Sequence, residues 1–262
     1  MSKPPQHVLL FGSPILVGLL NLTHPRFMPP VYSGIIDHIS WWATLHILNL
    51  VLFPLLGLAA FILVSDIHNF ASALTKVALS IFVPLYAAFD ALAGIGTGIL
   101  VENAKRMRPD ELAKVTPLID AYWNSNVLNA VAAAGSIAWV IAMLSAAVAI
   151  TTPQRRRLVA ILAVVLFFIG GWAQTNLFLA SRDLTIPISW WLIAIGMGFT
   201  MVLMAKPRVA ASLLVLSGVF FGASHVTPTG PLGMLCFLGA AVSMKFVKQK
   251  PGGSELVSHG SI

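Results

Sequence analysis

Runs of about 17 to 25 apolar residues, separated by short polar connections, recur along this chain and dictate what it can fold into. Inside lipid no water satisfies a backbone N–H or C=O, so each run must close its own hydrogen bonds as a helix. Eight runs are legible, at about 8–22, 41–64, 73–100, 126–150, 158–180, 187–205, 209–225 and 231–247. They predict an all-α fold: a polytopic transmembrane helical bundle of about eight spans over residues 1–247. The tail 248–262 carries Pro-Gly-Gly and serines and is expected to be disordered in the cytoplasm. Pro14, Pro54 and Pro84 fall inside runs and are read as kinks, which membrane helices tolerate. The first run has the length of a secretory signal. Only Lys3 precedes it, however, and Asn21-Leu22-Thr23-His24-Pro25 is a poor cleavage site, so it reads as a retained span. The connection 101–124 is long enough for a short amphipathic surface helix.

Composition points the same way. The chain is 58% hydrophobic and only 10% charged, where soluble domains carry about a quarter charged residues. The spans and their connections leave little sequence for a separate extramembrane domain. A net charge of +7 calls for no nucleic-acid partner, because lysines and arginines beside spans set topology and meet anionic lipid. The single cysteine, Cys236, lies in an apolar run; it forms no redox pair and reads as a packing residue.

With eight spans both termini share one side of the membrane. Placing them in the cytoplasm puts ten of the 16 lysines and arginines inside: Lys3, Lys76, Arg155, Arg156, Arg157, Lys206, Arg208, Lys245, Lys248 and Lys250. Arg26, Lys105, Arg106, Arg108, Lys114 and Arg182 lie outside, four of them in one long connection. The positive-inside rule therefore favours cytoplasmic termini in a cell inner membrane.

Of the nine acidic residues, Asp90 alone sits well within an apolar run. A carboxyl at that depth costs several kcal/mol unless paired, protonated or hydrated, which makes it a functional candidate. In the orientation above, His24 ends the first span, His46 lies near the start of the second, and His225 ends the seventh. All three then share the outer half of the bilayer with Asp90. Tyr86, Asp90, Gly94 and Thr97 recur at helical spacing, as do Asn126, Asn129, Ala133 and Ser136. Gly218, Gly222 and His225 form a third such stripe, and Gly170, Gly171 and Gln174 a fourth. Small residues let helices approach closely. Packed inward, these stripes would build an outward-facing pocket with Tyr86, Asn129 and Gln174 as ligand-binding residues.

Structural readings stand beside the functional ones. Asp90 could be a protonated interhelical bond partner of Tyr86 or an asparagine, and His46 a neutral packing group. His24 and His225 near water cost little on their own. Asp37 and His38 are alternates for the site, His68 falls on the cytoplasmic side, and the triple arginine is a topology signal.

The run from Tyr86 to Gly98 (Tyr-Ala-Ala-Phe-Asp-Ala-Leu-Ala-Gly-Ile-Gly-Thr-Gly) and His225-Val-Thr-Pro-Thr-Gly-Pro-Leu-Gly-Met resemble segments of uncharacterised bacterial multi-pass membrane proteins. The resemblance extends over most of the chain. It implies a helical-bundle membrane protein and brings no activity with it.

Three functions compete. His24, His46, His225 and Asp90 make a reasonable metal set, zinc being held chiefly by Cys, His and carboxylates. A zinc-polarised water would give an intramembrane hydrolase acting on a lipid or amide, with Asp90 catalytic. Alkaline ceramidases and adiponectin-receptor-like proteins use that general chemistry. This chain departs from them in lacking a paired His-x-x-x-His in its last spans and in having eight spans, not seven. Haem would need two opposed axial histidines, for which His46 and His225 are the sensible pair. The second function is a proton-coupled small-solute transporter with Asp90 as coupling group, although no internal duplication is evident. The third is an accessory subunit whose polar groups only glue helices, an inefficient use of bonds averaging about 0.6 kcal/mol each. No P-loop, Gly-x-Ser-x-Gly, HExxH or Rossmann glycine run is present.

Overall fold

The computed structural model describes residues 4–25, 30–151, 208–226 and 228–248. The expected spans 158–180 and 187–205 lie outside the described residues. So do Arg155, Arg156, Arg157, Gly170, Gly171, Gln174 and the tail beyond Lys248.

Among the described residues the fold is all-helical, with no strand. In chain order the helices are α1 (Pro4–Leu22), α2 (Val31–Ile35), a 3-10 turn (Ile36–His38), α3 (Ile39–Leu63) and α4 (Phe70–Phe89). A π-helical segment (Asp90–Gly96) leads into α5 (Thr97–Ala104), followed by α6 (Pro109–Trp123), α7 (Asn126–Ala149), α8 (Arg208–Ala223) and α9 (Thr229–Lys248). Three helical stretches, Val31–Leu63, Phe70–Ala104 and Pro109–Ala149 (the last broken at Asn124–Ser125), are long and apolar enough to cross a membrane. Gln6–Leu22, Val209–Ala223 and Thr229–Met244 are apolar but shorter.

Local chemistry explains the helix ends. Asn69 caps α4 by accepting the Ser72 N–H at 2.9 Å, and its amide donates to the Ala149 carbonyl at 3.1 Å. Ser125 caps α7 through the Leu128 N–H, as short oxygen-bearing side chains do. Pro109 opens α6, where a missing N–H costs nothing, and Glu111 reaches back to the Arg108 N–H at 3.2 Å. Polar side chains inside apolar helices bond to their own preceding turn: Ser13 to Leu9, Asn21 to Val17 and Thr75 to Ala71.

Six helices close a ring: α1 packs on α3, α3 on α4, α4 on α7, α7 on α8, α8 on α9, and α9 back on α1. Rings fill its centre. Phe82 lies 4.9 Å from Trp139, Trp139 5.3 Å from Phe221, and Phe53 5.0 Å from Tyr86. A second cluster, Val31, Ile35, Ile39, Trp42, Val101, Ala104 and Ile119, sits at one end of the ring beneath α6. The candidate residues lie where the two clusters meet.

Two helical faces differ from the sequence expectation. Tyr86, Asp90, Gly94 and Thr97 are all buried, but a π-helix intervenes from Asp90 onward. The buried stripe runs through Ser72, Thr75, Ala78, Leu79, Phe82 and Tyr86 on α4, and continues beyond Asp90 as the pairs Ala93–Gly94 and Thr97–Gly98. On α7, Asn126, Asn129 and Ala133 are exposed, and the inward side is Leu128, Gly135, Ala138, Trp139, Ala142 and Met143. Trp139 and Met143 fill far more interhelical volume than the Asn/Ala stripe and take the core. Gly218 and Gly222 turn toward α7, against Met143 and Val140.

Candidate functional site

Four separate pieces of chain deliver the central groups. His24 follows the end of α1, His46 lies two turns into α3, Asp90 opens the π-helical segment, and His225 sits in the turn between α8 and α9. All are buried: Asp90 0% exposed, His46 2%, and His24 and His225 9% each. The His24 ring centroid stands 5.3 Å from that of His46 and 5.5 Å from that of His225, nearly perpendicular to both.

The nitrogens are oriented individually. His24 Nδ1 lies 2.8 Å from the Pro25 carbonyl; a carbonyl only accepts, so this nitrogen carries the proton and Nε2 is left with a lone pair. His46 Nδ1 lies 2.5 Å from Asp90 Oδ1, a short buried hydrogen bond. Nε2 of His24, His46 and His225 and Oδ2 of Asp90 are buried without a hydrogen-bond partner among the described residues. Buried polar atoms are almost always satisfied, so three unsatisfied imidazole nitrogens on neighbouring rings demand an explanation.

The turn that carries His225 is tightly built. Thr229 Oγ1 donates to the Ser224 carbonyl at 2.9 Å, the Val226 N–H donates to Ser224 Oγ at 3.1 Å, and the Gly230 N–H donates to the Val226 carbonyl at 2.9 Å. A Cβ on Gly230 would lie 1.7 Å from the His225 carbonyl oxygen, so only glycine fits there.

Aromatic side chains enclose the group. Trp42 lies 4.6 Å from His46 and 5.3 Å from His24. Phe89, Tyr86 and Phe53 stand 5.8, 5.9 and 6.1 Å from His225. Asn49, fully buried one turn beyond His46, lies beside the Asp90 carboxylate.

The structure thus brings together His24, His46, His225 and Asp90. Tyr86 belongs to the wall, its hydroxyl 3.4 Å from Ser136 Oγ. Asn129 does not: it is exposed and donates to the Asn124 carbonyl at 3.3 Å, finishing the α6–α7 corner. Gln174 is outside the described residues. Asp37, His38 and His68 are exposed. Asn49 and Phe89 carry no sequence expectation, and Trp42, which with Trp41 suits a membrane interface by sequence, is instead fully buried beside His46. Trp42 and Asn49 had a signal, since positions four before and three after His46 share its helix face.

Among the described residues no three His, Cys, Asp or Glu side chains already stand in a geometry that could hold a metal ion. Two imidazoles on a tetrahedral zinc have centroids roughly 5 Å apart, so the spacing here is close to that of ligands while the ring directions are not. His24 lies beside both His46 and His225, where an axial pair would need a clear planar slot for haem. The chain matches no known protein family, no curated protein and no solved structure.

Proposed function

We propose that this chain is an inner-membrane protein of about eight spans with both termini cytoplasmic, and that His24, His46 and His225 bind a transition-metal ion in its outer half. One observation carries the reading: Nε2 of His24, His46 and His225 is buried without a hydrogen-bond partner among the described residues, and the His24 ring stands 5.3 and 5.5 Å from the rings of His46 and His225. Two of those rings hold their other nitrogen against a carbonyl or a carboxylate, which is how metal-binding histidines are oriented. Binding takes a rotation of the rings that converges the three nitrogens. Asp90 orients His46 through Nδ1 and supplies the negative charge that a buried cation needs. Three neutral imidazoles with one open position suit zinc, and water in that position gives a hydrolase for an ester or amide carried by lipid.

The purified protein in detergent is titrated with zinc and analysed for bound metal, alongside His24→Ala and His225→Ala. Wild type should bind one equivalent, and each variant should lose it. Wild-type protein that binds no zinc, copper or cobalt overturns the reading. The buried Asp90–His46 contact favours a second reading, proton-coupled transport. It gains if metal is absent and solute flux in vesicles depends on Asp90.

A further inference from the structure

The segment Asp90–Gly96 is π-helical, a geometry that is rare because its packing and hydrogen bonds are poorer than those of an α-helix, and one that clusters at functional sites. It persists where surrounding groups hold it. Here two side chains from different helices do so. Trp42 on α3 donates Nε1–H to the Gly94 carbonyl at 2.7 Å, and Tyr122 on α6 donates its hydroxyl to the Leu92 carbonyl at 2.8 Å. Both lengths are those of good hydrogen bonds. The two glycines of the segment admit the groups that grip it. A Cβ on Gly94 would lie 2.1 Å from the His46 ring, and one on Gly96 would lie 2.5 Å from the Tyr122 hydroxyl. The last turn of α6 is itself fastened, since Asp120 accepts the Val31 N–H at 2.8 Å and the Trp123 ring lies 5.9 Å from that of Trp42.

We infer that Trp42 and Tyr122 are positioning residues for the His46–Asp90 pair: by bonding the carbonyls of Gly94 and Leu92 they hold the widened turn that presents Asp90 Oδ1 to His46 Nδ1. Asp90 is the first residue of that turn and Gly94 the one against which the His46 ring rests. Releasing either carbonyl lets the turn relax toward α-helix, which rotates Asp90 relative to α3 and frees the His46 ring. The surface helix α6, which contributes no residue to the metal set, thereby controls its geometry through one hydroxyl.

The metal-affinity arm of the test rests on the function proposed above, and the proton arm does not. Tyr122→Phe removes a single oxygen and keeps the ring. Tyr32→Phe removes a hydroxyl from the same outer cluster and serves as control. The strongly deshielded proton shared by His46 and Asp90 is followed by NMR on full-length protein in detergent, assigned with Asp90→Ala. Zinc affinity is measured by competition with a chromophoric chelator, and the ligand-field bands by substituting cobalt. The proton resonance should shift or vanish in Tyr122→Phe and remain in Tyr32→Phe. Zinc should bind about tenfold more weakly in Tyr122→Phe, as when an outer partner of a ligand is lost, with altered cobalt bands and unchanged helix content. A Tyr122→Phe protein with wild-type resonance and wild-type zinc affinity overturns the inference. A shifted resonance in a protein that binds no metal keeps the inference and sinks the metal reading alone.

Discussion

Gly94→Ala tests the packing at the site most directly. The added Cβ would fall 2.1 Å from Cγ of His46, where carbon atoms rest about 3.5 to 4.0 Å apart. The overlap is with the stem of the ring, which cannot swing aside as a flexible chain end can. His46 is held on its other sides by Asp90 at 2.5 Å and by the rings of Trp42 and His24 at 4.6 and 5.3 Å. Overpacking a tight core costs about 1 to 3 kcal/mol. Pulling His46 off Asp90 adds about 1 to 3 kcal/mol for the buried group left unpaired. Helix propensity returns about 1 kcal/mol for alanine over glycine, so the net loss is about 1 to 5 kcal/mol. Gly12→Ala is the control, because nothing lies within 4 Å of its added Cβ and it should gain up to about 1 kcal/mol. The assay is reversible denaturation in detergent micelles followed by tryptophan fluorescence, with Trp42 beside the perturbed ring. Equal stability of the two variants would refute the close packing of His46 on the π-helical segment.

Topology is checked at the α8–α9 turn. Pro228 is exposed, so Pro228→Cys in a Cys236→Ala background should react with a membrane-impermeant maleimide from the outer side, and labelling from the cytoplasm alone would reverse the proposed orientation. Thr75→Val removes the 2.9 Å bond between Thr75 and Ser145 that links α4 to α7. Ser145 keeps its bond to the Ile141 carbonyl, so the loss should be about 0.6 kcal/mol in the same denaturation assay. A loss above about 2 kcal/mol would mean that the pair supports more than a single interhelical bond.

The helices were legible because a long apolar run leaves its backbone few alternatives to helix, and α1, α3, α4 with its π-helical and α5 continuation, α7, α8 and α9 cover the runs expected at those places. Which face each turns inward was less legible. On α3 apolar residues surround the helix, so no stripe identifies the side carrying Trp42, His46, Asn49 and Phe53, all buried. On α7 the small and polar stripe looked like a contact face, yet burial followed the large side chains Trp139 and Met143. A helix in an apolar surround gains little by hiding its apolar side, so packing volume decides rotation and amphipathicity does not.

The site was half legible for a related reason. Asp90 and the three histidines stand out because ionisable groups are costly within apolar runs, and their positions near the ends or middle of those runs give the reason to group them. Tyr122 carries no such mark, because a tyrosine near the end of a surface helix is ordinary at a membrane interface. Its weight comes from the π-helical segment, two of whose carbonyls accept side-chain donors from other helices, and helical periodicity in the sequence gives no sign of the extra width. The two observations meet in the glycines. In Asp90-Ala-Leu-Ala-Gly-Ile-Gly96 the positions without a Cβ are those facing His46 and Tyr122. The turn that carries the buried carboxylate is therefore clamped between the ring it bonds and the surface helix that holds it in register.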